Sequence, residues 1–131
     1  MDSQQILTHV SELTGFDHDR SEHLVRATLV MLGTRIASGE ANDLAAQLPD
    51  SLGACLEHES EASRFDPPEF ERRVARVVPL ANDQAGPAIK AVFSVLSEAV
   101  SEGEMRQVLS QLGSEYERLT GMPTGTRATV S

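Results

Sequence analysis

A chain of 131 residues with 40% hydrophobic side chains is sized for one domain and too apolar for global disorder, while a net charge of −9 argues against the basic surface that a phosphate backbone requires. Aromatic residues make up 4% and tryptophan is absent, so the core is expected to be aliphatic; the lone Cys55 has no internal disulfide partner, which suits a reducing cytoplasm. No apolar run nears the ~18–20 residues of a membrane helix, and the N-terminus shows neither a basic leader nor a cleavage motif, so neither nucleic acid nor membrane is expected as a partner.

The first helix is expected over residues 3–14, where Ile6, Val10 and Leu13 recur at i, i+4 and i+7 and Gly15 stops it. Asp17-His18-Asp19 is a polar turn able to cap a second helix over 20–37, with Val25, Thr28, Leu29, Leu32 and Ile36 in one stripe. Ser38-Gly39 interrupts it before a short third helix over 40–47, with Ala41, Leu44, Ala45 and Leu48 inward. Pro49 cannot continue that helix and can begin a fourth over 49–56. A linker over 57–68 carries Glu57, Glu59 and Glu61 and ends in Asp66-Pro67-Pro68.

The fifth helix is expected over 68–78, with Phe70, Val74, Val77 and Val78 on its apolar face. Arg72, Arg73 and Arg76 lie opposite, and Glu69 is within one turn of Arg73. A sixth runs from 82 or 83 to 100 through Ile89, Val92, Phe93, Leu96 and Val100, with Gly86-Pro87 able to delay its start. Ser101-Glu102-Gly103-Glu104 reads as a capping box opening a seventh helix, with Met105, Val108, Leu109 and Leu112 inward. An eighth ends near Thr120-Gly121, and the small, polar tail over 121–131 is expected to be disordered.

The second half of this order repeats the first. Residues 27–52 and 91–116 align without a gap at an offset of 64, and Ala27, Leu32, Gly39, Glu40, Gln47 and Leu48 meet identical residues. The expectation is an all-α fold of about eight helices in one domain over 1–120, built from pseudo-symmetric repeats over about 5–56 and 69–120 that share a core. Charge divides unevenly: residues 1–66 carry 12 acidic and 4 basic side chains, and residues 67–131 carry 8 and 7.

The duplicated Gly-Glu and the Gln seven residues after each Glu make Glu40, Gln47, Glu104 and Gln111 the candidate ligand or partner site. The same glutamates read more readily as anions at helix N-termini, where the dipole favours them, because duplication preserves structural signals as readily as functional ones. Arg72, Arg73 and Arg76 are a candidate docking cluster for an acidic partner. His9, His18, His23 and His58 lack i, i+4 pairing, so no metal or cofactor is expected; Glu57-His58-Glu59 reads as a solvated linker and Cys55 as a small buried residue. No phosphate loop, dinucleotide fingerprint, calcium-binding helix–loop–helix or nucleophile elbow occurs.

The sequences SGEANDLAAQLPDSL and SEGEMRQVLSQLGSEY, each after an apolar helix, resemble the bacterial family catalogued as domain of unknown function 2267. Phe70-Glu71-Arg72-Arg73-Val74 and Gln5-Ile6-Leu7-Thr8-His9-Val10 are similar to that family's first-helix pattern. Gly113 stands where the second repeat would carry a proline. The resemblance implies a small, soluble, helical bacterial protein and supplies no catalytic residue. The function expected is a non-enzymatic cytoplasmic module that binds an unidentified protein, in regulation or stress response. A ligand-binding protein or enzyme using the duplicated Glu and Gln, and a homodimeric structural module, are the alternatives.

Overall fold

The computed structural model describes residues 1–58 and 61–124, so Glu59 of the linker and most of the expected disordered tail lie outside it. The described residues form eight α-helices and no strand: α1 (Ser3–Thr14), α2 (His18–Arg35), α3 (Ser38–Ala45), α4 (Asp50–Gly53), α5 (Pro67–Val77), α6 (Asn82–Ala99), α7 (Glu102–Leu112) and α8 (Glu117–Thr120). Short 3-10 turns over Ala54–Leu56 and Ser114–Tyr116 follow α4 and precede α8. The first residues of α5, α6 and α7 each lie 64 positions after those of α1, α2 and α3.

Local chemistry sets the boundaries. The carboxylates of Asp2, Asp17 and Asp66 each accept the backbone N–H three residues on, at 2.8–3.0 Å, and so open α1, α2 and α5. Gly15 closes α1 in the left-handed region at φ 79°. Pro49 precedes α4 as its N-cap instead of beginning it. α6 begins at Asn82 and runs through Pro87, which therefore does not delay its start. At Gly113 φ is +91°, a conformation closed to proline, which accounts for the exchange of Pro49 for glycine.

Packing crosses between the halves. α1 lies against α2 and α6, α5 lies against α2 and α6, and α3 meets α7. One apolar cluster takes Ile6 and Val10 from α1, Leu29 and Leu32 from α2, Phe70 and Val74 from α5, and Val92 and Leu96 from α6. Its centre corrects the purely aliphatic expectation. Phe70 has Phe65, Phe93 and Tyr116 at centroid distances of 6.0–6.3 Å, so four of the five aromatic residues gather there. Leu13 and Val77, expected inward, are 59% and 61% exposed, and both lie in the last turns of their helices.

Candidate functional site

The candidate site forms where α3 meets α7. Each long helix stops at an extended residue, Ile36 after α2 and Val100 after α6. Ala37 and Ser101 then sit as N-caps, and their own backbone N–H groups need acceptors. The acceptors come from the opposite half. The Ser101 N–H donates to Gln47 Oε1 at 2.7 Å, and the Ala37 N–H donates to Gln111 Oε1 at 2.9 Å. The duplicated glutamines are therefore committed to this exchange of caps.

The exchange changes what Glu104 does. The Glu104 N–H donates to Ser101 Oγ at 3.1 Å, which is half of the expected capping box. The other half is absent, because the Ser101 N–H is taken by Gln47 and the Glu104 side chain does not return to it. Gly39 and Gly103 lie inside the first turns of α3 and α7, with ordinary helical backbone and open space around a would-be Cβ. They do not form the corners, as the sequence had suggested; residues 36–37 and 100–101 do.

Glu40 and Glu104 are the third residues of α3 and α7, in the first turns as expected of anions at helix N-termini, and they also face each other. Asp43, one turn beyond Glu40, joins them. One carboxylate oxygen from each of the three lies within 4.8 Å of the others. Glu104 is only 9% exposed, Glu40 is half-buried and Asp43 is exposed. The Oε2 atoms of Glu40 and Glu104 are both shielded from solvent and accept from no N–H or hydroxyl, so a hydrogen bond between the two carboxyls requires a proton on one of them. Burial pushes the Glu104 carboxyl up to about 7, and the hydrogen bond and charge of Glu40 and the charge of Asp43 push the same way. The arrangement can hold a proton or a cation among its oxygens; it contains no nucleophile or base beyond the carboxylates.

The arginine cluster is partly committed to structure. Glu69 binds Arg72 Nη2 at 2.8 Å and Arg73 Nε at 2.9 Å, which holds the Glu69 carboxyl below the usual range. The Arg73 guanidinium also lies 4.0 Å above the Phe65 ring. Arg72 and Arg76 line a cleft of about 450 Å³ between α5 and α6 with Glu71, Leu80 and Ala85. An adjoining cleft of about 820 Å³ shares Pro68 and Glu71 with it and adds Pro87, Lys90, Arg118 and Leu119. Glu40, Gln47, Glu104 and Gln111 line neither.

Two further readings change. His58 is half-buried, with Nε2 3.3 Å from the Ile36 carbonyl, so this part of the linker is held against the end of α2. Cys55 is half-buried beside Arg26, with Nη1 3.8 Å from the sulfur. Two participants had gone unnoticed in the sequence. Asp43 stands opposite Gln107 in the alignment and so gave no repeat signal, although its i, i+3 spacing from Glu40 places both on one helix face. Arg35 stands opposite Ala99. It is 5% exposed, and its guanidinium donates to the Leu112 carbonyl at 2.9 Å and to those of Gln111 and Phe65 at 3.3 Å, closing the end of α7.

No helix among the described residues is long and apolar enough to cross a membrane. No curated protein matches the chain at a significant level. Residues 3–119 match the family described as "Uncharacterized conserved protein (DUF2267)", nearly the full length, and the chain belongs to that family.

Proposed function

We propose that the chain is a non-enzymatic cytoplasmic module that binds an acidic segment of a partner protein along the α5–α6 clefts. The observation that carries this reading is the charge of the rim. Arg72, Arg76, Lys90 and Arg118 stand there against Asp66, Glu71 and Glu115, with Glu69 paired to Arg72, so the rim is near neutral on a molecule whose net charge is −9. A near-neutral strip with four cationic side chains on an otherwise acidic surface orients an anionic partner. Pro68, Leu80, Pro87 and Leu119 supply the apolar contact that such strips need for affinity.

The test is a paired capture from native lysate with the wild type and the Arg72→Ala/Arg76→Ala double variant, using Arg106→Ala as a surface control. The reading expects a protein retained by the wild type and the control, lost with the double variant and released by salt, whose acidic segment binds as a synthetic peptide. Equal retention by all three proteins would defeat it. Sedimentation at several concentrations tests the homodimer alternative in the same preparations.

A further inference from the structure

We propose that the junction of α3 and α7 is a divalent-cation site of the hard, oxygen-binding class, with Glu40, Asp43 and Glu104 as its protein ligands. Three carboxylate oxygens within 4.8 Å of one another are the first observation. Two oxygens bound to one calcium ion at ~2.3–2.6 Å lie at most ~4.6–5.2 Å apart, so separations of no more than 4.8 Å leave all three within reach of a single ion.

The second observation is the state of Glu104. Its side chain is nine-tenths buried and places a carboxylate oxygen in the cluster, and its Oε2 is buried without a donor. A buried carboxylate oxygen normally has a partner, because leaving one unmatched is costly. Three backbone N–H groups at the junction are engaged elsewhere: Ser101 with Gln47, Glu104 with Ser101 Oγ, and Ala37 with Gln111. Glu40 Oε2 is orphaned in the same way on the facing helix. A shared proton would join Glu40 to Glu104 but would leave Asp43 as an added negative charge beside them. A divalent cation uses all three. The exposed side of Asp43 gives it access and leaves room for the waters that complete a calcium shell. The site shares no residue with the α5–α6 clefts, so it stands or falls independently of partner binding.

The full chain, stripped with chelator and exchanged into chelator-free buffer at constant ionic strength, is titrated with calcium, magnesium and manganese chlorides. Calorimetry should show one calcium bound per chain, and thermal unfolding should shift up by about 5 °C once calcium is well above its dissociation constant. Asp43→Asn changes an exposed side chain and leaves the fold intact. It should weaken calcium binding about tenfold or more, as should Glu40→Gln, since each removes one of three anionic ligands. His18→Ala serves as a control, because among the described residues His18, Asp19 and Glu22 form the other three-ligand group and His18 is exposed. That variant should bind as the wild type does. The proposal is overturned if none of the three ions binds up to about 10 mM, beyond the range of weak calcium modules. It is equally overturned if Asp43→Asn binds like the wild type, or if binding disappears with His18→Ala instead.

Discussion

Glutamines 47 and 111 show how one side chain can serve a corner in the other half of the chain. Each accepts the backbone N–H at the head of the opposite short helix, at 2.7 and 2.9 Å. Removing either amide leaves an N-cap N–H without its protein acceptor. Gln47→Ala and Gln111→Ala are each expected to cost about 1 kcal/mol in urea unfolding, the usual net worth of one such hydrogen bond. No loss for either would mean that water replaces the amide without penalty. The pairing of Gln47 with Glu40 and of Gln111 with Glu104 was legible from the repeat, but the role was not. Sequence spacing puts each Gln on the face of its own helix; only the meeting of α3 with α7 shows that the acceptor is spent across the junction. Arg35 was illegible for a related reason. A lone arginine among apolar residues carries no pattern, and its partners are carbonyls 76 and 77 positions away.

At the scale of elements, glycine separates close approach from helix continuity. A Cβ on Gly33 would lie 2.3 Å from the Leu56 carbonyl oxygen and 2.9 Å from its Cα, so α2 and the 3-10 turn touch backbone to backbone. Gly33→Ala must push the two apart and is expected to destabilise by roughly 1–3 kcal/mol. Gly39 lies in the first turn of α3 with nothing within 4 Å of a Cβ, so Gly39→Ala should raise stability by about 0.5–1 kcal/mol through helix propensity. Equal effects at the two positions, read from denaturant midpoints, would contradict this distinction. Helix extents were well marked in the sequence because aspartates and prolines punctuate them. Misplacement came where tertiary contact outweighs local pattern. Leu13 and Val77 fit their helical stripes but lie exposed in last turns, and the first turns of α3 and α7 begin before their glycines.

For the whole molecule, the crossed packing of α1 on α6 and α5 on α2 leaves neither half with a closed core. A fragment of about half this length is already marginal for folding alone. Fragments 1–66 and 67–131 are therefore expected to be largely unfolded when separate, by far-UV circular dichroism, while the full chain unfolds in one transition; a cooperatively folded fragment would contradict this. Within that shared core Glu40 and Glu104 face each other at low exposure at the α3–α7 junction, and Glu104 makes stability depend on pH. The ordinary carboxyl value is 4.5, and in the folded chain Glu104 stands at about 7. The fold thus favours the protonated form: its contribution is complete below about pH 4.5 and is lost as pH rises through about 7. Allowing for coupling with Glu40, the change is on the order of 2 kcal/mol. Glu104→Gln replaces the ionising group with an amide that can donate to Glu40. The decisive measurement is the unfolding free energy of the wild type and Glu104→Gln from pH 4 to 8 in the presence of chelator. The account predicts that the variant gains on the wild type steadily between about pH 4.5 and 7.5, by on the order of 2 kcal/mol; a constant difference across that range would show that Glu104 titrates as an ordinary surface carboxylate and that the junction holds no constrained charge.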